Sequence, residues 1–152
     1  MTDRANVVAI PPLVAIGGLA FGAALEWAFP SRVLPRGAAV AAGAALILFS
    51  IPIAISAVRA LAKAQTAIDV RRPTTSIVET HAFRFSRNPI YLSMMLLYAG
   101  LSLLMNSAWP LLLGIFVFAI FQVGIVGREE RYLEEKFGDS YRLYKKRVRR
   151  WI

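Results

Sequence analysis

Apolar residues fall in four blocks, roughly Val7–Phe29, Gly37–Ala62, Pro89–Met105 and Trp109–Val126. A helix crosses the hydrocarbon core with about 17–25 residues, so the first two blocks qualify outright and the last two are shorter. Between those two, Asn106-Ser107-Ala108-Trp109-Pro110 reads as a tight turn joining antiparallel helices. The pattern predicts an all-α polytopic membrane protein with four transmembrane helices, at about 7–29, 37–62, 89–105 and 109–126, in a single domain over 1–152. Pro11 and Pro12 lie near the start of the first span, where a missing amide donor costs least. That span is too long, and its basic start too weak, for a cleaved signal peptide. Gly18 and Gly22 form a small-residue face that serves either packing within the monomer or a homodimer through helix one. Glu26, beside Trp27 and four residues before Pro30, is expected at the membrane interface near Arg32. The second span, about 39 Å long, must tilt or project, with Pro52 offering a kink and Arg59 and Lys63 reaching to the surface.

Two polar stretches remain, the connection 63–88 and the tail 127–152. The connection carries Ile68, Val70, Ile77, Val78, Phe83 and Phe85, too many apolar residues for a solvated linker. Arg71-Arg72-Pro73-Thr74-Thr75 reads as a turn and Ser76-Ile77-Val78 as a short extended piece. In the tail, Leu133, Phe137, Tyr141, Tyr144 and Val148 share one face of a cytoplasmic amphipathic helical segment, opposite Arg131, Glu135, Arg142 and Lys146. Gly138 is placed to end a first helix and Asp139 to cap a second. Basic residues crowd the tail's second half, which fits lipid contact. Glu129, Glu130, Glu134 and Glu135 crowd the first half and need a protein or ligand partner instead. The tail is therefore expected to fold back on the connection.

Charge sharpens this picture. The chain has no cysteine and one histidine, His81, which excludes disulfides, thiol nucleophiles and thiolate or multi-histidine metal sites. A net charge of +9 can indicate nucleic acid, but beside long apolar blocks it fits anionic lipid headgroups better. Sixteen basic residues (Arg4, six from Arg59 to Arg87, nine from Arg128 to Arg150) fall on one side of a four-span arrangement, against Arg32 and Arg36 on the other. The expectation is a multi-pass protein of a bacterial cytoplasmic membrane with both termini cytoplasmic and membrane lipids, not nucleic acid, as partners. The closing residues Arg149-Arg150-Trp151-Ile152 carry no lipidation box.

Asn88-Pro89 by itself reads as a helix cap followed by a first-turn proline, and Arg84 and Arg87 as ordinary interfacial cations. Together with the tail, these positions resemble a known family. The run Phe83-Arg84-Phe85-Ser86-Arg87-Asn88-Pro89-Ile90-Tyr91-Leu92 precedes Glu129-Glu130, Phe137-Gly138, Tyr141 and Tyr144-Lys145-Lys146-Arg147-Val148. The set is similar to the isoprenylcysteine carboxyl methyltransferases and related phospholipid methyltransferases, over about Ala62 to Ile152. The family pattern is Gly-Pro-Tyr-Arg-x-x-Arg-His/Asn-Pro-x-Tyr, a helical hairpin, Glu-Glu, then Phe-Gly-x-x-Tyr-x-x-Tyr before a basic stretch. His81-Ala82 stands where the family has Gly-Pro, and Ile125 where some members carry a substrate-binding arginine.

The resemblance implies S-adenosyl-L-methionine bound between the 63–88 loop and the tail. By position it assigns Ser76, Ile77, Val78, Phe83, Asn88, Tyr91 and Glu129 to the cofactor. No catalytic residue follows from it; Arg87, Arg128 and Glu130 are the candidates. Methyl transfer from a sulfonium is an in-line displacement that depends on positioning and exclusion of water. Aromatic faces such as Phe83 and Tyr91 stabilise a sulfonium by about 0.5–2 kcal/mol each, and a carboxylate such as Glu129 accepts from hydroxyls or an ammonium. The implied function is methylation of a lipophilic or lipidated substrate, foremost as in the isoprenylcysteine carboxyl O-methyltransferases, with phospholipid amine N-methylation as the alternative. An amine would need a proton acceptor, for which Glu130 and His81 are available. Other classes are a small four-helix transporter built on Glu26 and a non-catalytic membrane scaffold.

Overall fold

The computed structural model describes residues 5–69 and 72–152; Arg4, Val70 and Arg71, counted above, lie outside the described residues. Every regular element among them is helical. Helix α1 spans Pro11–Ala28 and α2 spans Arg36–Lys63. A connection containing the 3-10 turn His81–Arg84 leads to α3, Pro89–Met105. Then α4, Ala108–Ala119, passes through a π-helical segment, Ile120–Val126, into α5, Gly127–Phe137, and α6 covers Asp139–Arg147. Three helices are long and apolar enough to cross a membrane: Pro11–Ala28, Arg36–Lys63 and the continuous Ala108–Phe137. Helix α3 is a shorter apolar helix of 17 residues, about 26 Å at 1.5 Å per residue. Pro52 lies inside α2, which stays helical throughout.

Helix α2 packs along α3, and α1 along α4, while α1 and α2 make at most marginal contact with each other. The small residues explain the closeness. A Cβ on Gly18 would lie 2.7 Å from the Val117 side chain, and one on Gly22 would lie 2.8 Å from the Pro110 backbone. The face they form is thus filled by the chain's own α4, and a dimer through helix one would need another face. Tyr91, Tyr98, Val117, Phe121, Ile125 and Val126 make the buried core. At the far end from the loop, a polar network ties the α1–α2 link to the α3–α4 turn. Glu26 accepts from Ser31 N (3.0 Å), Ser31 Oγ (2.9 Å) and Ser107 Oγ (2.6 Å). Asn106, with a left-handed backbone (φ 53), accepts from Leu34 N (3.1 Å) and donates to Leu34 O (2.8 Å). Glu26 is consumed by hydroxyls and amides, as a structural group would be.

Two capping expectations fail. Asp139 is the first residue of α6 rather than its cap, because its carboxylate is drawn to Arg142 Nη1 at 2.7 Å; Gly138, with φ 54, makes the turn alone. Asn88 occupies the N-cap position of α3 as expected, but its Oδ1 accepts no cap bond, and its Nδ2 donates to Arg150 O instead. The packing argument predicts that Gly22→Ala lowers the thermal midpoint by an amount corresponding to about 1–3 kcal/mol. Gly17→Ala, with open space at its Cβ, should leave the midpoint unchanged or raise it. Equal midpoints for the two variants would refute the close approach.

Candidate functional site

A cavity of about 360 Å³ lies where the connection, α5, α6 and the loop ends of α1–α3 meet. Its size falls in the range of small-molecule sites. Ser76, Ile77, Val78, Phe83, Asn88, Tyr91 and Glu129, drawn from three separate stretches, all line it, and so do Arg87 and Glu130. Arg128 does not: its Nη1 donates to Asn6 O at 3.0 Å, tying the start of the chain to α5. The lining is mixed. Asn88, Arg87, Tyr91, Glu129 and Glu130, joined by the contacts below, form a polar wall, and Pro12, Leu61 and Met94 are among the apolar lining residues.

The carboxylates are held differently. The Tyr91 hydroxyl donates to Glu129 Oε2 at 2.7 Å, with the Tyr91 ring set edge-on against Phe121 (5.8 Å). Glu129 lies beyond the apolar stretch, in the charged run of α5. Burial pushes its carboxyl up to about 7, opposed by the Tyr91 hydrogen bond and reinforced by Glu130. Glu130 is buried between two guanidiniums: Arg150 donates from Nε (3.2 Å) and Nη2 (2.5 Å), and Arg87 Nη1 lies 3.2 Å away. Arg87 is itself buried, and neither its Nε nor its Nη1 has a hydrogen bond of good geometry. The Arg87 contact is therefore electrostatic rather than an aligned bond. Removing one partner of such a buried pair typically costs about 3–5 kcal/mol.

Loop and tail are sewn together around this cavity. Tyr144 Oη donates to Phe83 O (2.8 Å), Tyr132 Oη accepts from Thr74 N (3.2 Å), and Arg147 pairs with Glu79 (2.6 Å). Burial raises the phenols of Tyr141 and Tyr144 above their ordinary value, so both stay protonated and available as donors. Thr66 Oγ1 accepts from Thr75 N (3.0 Å), holding the loop base that presents Ser76–Val78. The residues 149–151 form an extended strap: Arg149 O accepts from Arg87 N (3.0 Å), and Arg150 O from Asn88 Nδ2 (3.0 Å) and Ser86 Oγ (3.2 Å). Arg150, Thr66 and the start of α1 were not singled out from the sequence as site residues. Only the basic run 145–151 hinted at the strap, since main-chain pairing leaves no periodicity.

Helical throughout its regular elements among the described residues, with apolar helices of membrane length and a loop and tail closed over a mixed cavity, the chain has the make-up of a membrane protein. The chain belongs to the phospholipid methyltransferase family, whose pattern matches residues 38–140. It is also similar to an uncharacterised protein of Haemophilus influenzae, 44% identical over 69 residues, covering 41% of this chain and all of that protein. No solved structure matches it. Membership implies a membrane methyltransferase, and enzymes of this type generally use S-adenosylmethionine. The cavity's residues fit that group: an aromatic ring at Phe83, a hydroxyl–carboxylate pair at Tyr91 and Glu129, and the loop segment Ser76–Val78 along its wall.

The raised carboxyl gives a pH prediction. Because folding lifts Glu129 from 4.5 to about 7, the folded state holds this proton more tightly than the unfolded chain. Its stabilising contribution is full below the unfolded value and lost as pH rises through the folded one. Thermal midpoints of wild type relative to Glu129→Gln should therefore fall between about pH 5 and 8. A flat difference would show that this carboxyl titrates normally.

Proposed function

We propose that the chain transfers the methyl group of S-adenosylmethionine to the polar end of a lipid-anchored acceptor at the cytoplasmic membrane face. The observation that carries this reading is a cavity with both charged and apolar lining at the ends of membrane-length helices. Its polar wall comes from the loop, the first turn of α3 and α5, and its apolar lining includes Ile10–Pro12, Leu61 and Met94 near the ends of apolar helices. An acceptor with an apolar chain reaches the polar wall from the side without leaving lipid. In this reading α3 is a fourth span, tilted little because it is short, and 127–152 is the cytoplasmic tail, with the basic excess on the same side.

The cofactor supplies an activated methyl group on a sulfonium. The chain's residues then have separable tasks. Phe83 and Tyr91 offer ring faces to a cation, Glu129 accepts from hydroxyl or ammonium donors, and Asn88 presents an amide oxygen. The backbone of Ser76–Val78 borders a flat base, and the loop and tail exclude water. The isoprenylcysteine-type reading, with a carboxylate acceptor, needs no general base. A second reading, N-methylation of a phospholipid amine, is favoured by the family match.

Calorimetry of the detergent-solubilised protein with S-adenosylhomocysteine tests the cofactor site. Wild type should bind, and Glu129→Ala should weaken binding about tenfold or more, as expected for a lost charge-assisted hydrogen bond. Absence of binding to well-folded wild type would end the proposal. Transfer of labelled methyl to phosphatidylethanolamine or to a prenylcysteine in nanodiscs then separates the two acceptors.

A further inference from the structure

Gln122 is a polar side chain on an otherwise apolar helix, and it lies inside the π-helical segment of that helix. Such segments place side chains that a regular helix would turn elsewhere, and they occur frequently at functional sites. An amide in apolar surroundings is costly unless bonded. Its Oε1 accepts from the indole Nε1 of Trp151 at 2.8 Å, and the Trp151 ring packs on Phe118 with centroids 5.2 Å apart. Trp151 thus pins the strap to the bundle one residue beyond Arg150. Arg150 in turn touches the cavity's polar wall twice, by its carbonyl on Asn88 Nδ2 and by its guanidinium on Glu130. Asn88 gives up helix capping to make that bond. Its amide nitrogen is occupied, and its Oδ1, which accepts no hydrogen bond among the described residues, is left for a ligand donor. The main-chain N–H of Asn88 is fixed too, on Ser86 Oγ at 3.1 Å, and Ser86 Oγ donates to the same carbonyl of Arg150.

We infer that the Trp151–Gln122 contact is a positioning clamp. It sets the depth of the strap, and the strap sets which atom of Asn88 faces the cavity and where Glu130 is neutralised. Trp151 touches none of the proposed ligand; it acts through Asn88 and Glu130. The inference rests on the cavity being the S-adenosylmethionine site. A strap that only held the tail down would not need to direct its carbonyl at a site amide, nor its indole at the half-buried amide of an otherwise apolar stretch.

The full chain in nanodiscs, titrated with S-adenosylhomocysteine by calorimetry and melted in parallel, tests the clamp. Trp151→Ala should raise Kd about tenfold, and Trp151→Phe, which keeps the ring on Phe118 but loses the donor, about threefold. Gln122→Met should match Trp151→Phe. Because Trp151 acts through Asn88, the loss in Trp151→Ala/Asn88→Ala should fall well short of the product of the single losses. Should Trp151→Ala fail to fold, Trp151→Phe and Gln122→Met carry the comparison, including the pairing with Asn88→Ala. Wild-type affinity in these variants, or losses that multiply fully, would overturn the clamp while leaving the cofactor reading intact. Wild type that binds no S-adenosylhomocysteine would instead overturn both.

Discussion

Two adjacent carboxylates on one turn of helix, both turned into a small cavity, are the constraint the rest of the structure answers to. Neither is stable there as a bare anion. Glu130 is resolved by charge, enclosed by Arg87 from the loop and Arg150 from the strap. Glu129 is resolved by a phenol and by holding its proton to near neutrality. Loop, tail and α3 must all arrive together for either solution to exist, so the polar wall is also the joint of the molecule. A buried ion pair is weak evidence for net stability but good evidence for a specified geometry.

Much of the architecture was legible because its causes are local. Apolar blocks gave the helices to within a few residues, and Pro11, Pro89 and the Asn106–Pro110 turn fell where backbone chemistry puts them. The seven positions that the family resemblance assigns to a cofactor all line one cavity. What was hidden depends on contacts between distant segments. Asn88 looked like a cap, since Asn before Pro usually is one; a carbonyl more than sixty residues away redirects it. Arg128 looked like a site cation by adjacency to Glu129, but one step along a helix turns a side chain about 100°, here toward Asn6. The π-helical segment leaves no signature beyond a single glutamine in an apolar run.

Small-residue contacts and the polar network at the opposite end divide the remaining labour. Gly18 and Gly22 let α1 lie against α4, and Gly43 and Gly100 let α2 lie against α3, giving two tight helix pairs. Glu26, which elsewhere in a membrane helix would draw attention as a transport or catalytic group, is accounted for by Ser31 and Ser107. Its position at the helix end makes that assignment economical: the bonds it forms join two loops.

That cross-link has a mechanical consequence. With the α1–α2 link and the α3–α4 turn fastened to each other, the bundle has a pivot at one extremity. Helices α1 and α2 touch each other at most marginally, and Ile10, Pro12 and Leu61 at their other ends line the cavity. In the proposed reaction, any separation of α1 from α2 to admit a lipid chain would be held back at that pivot and largest at the other extremity, in the manner of tongs hinged away from the object they grip.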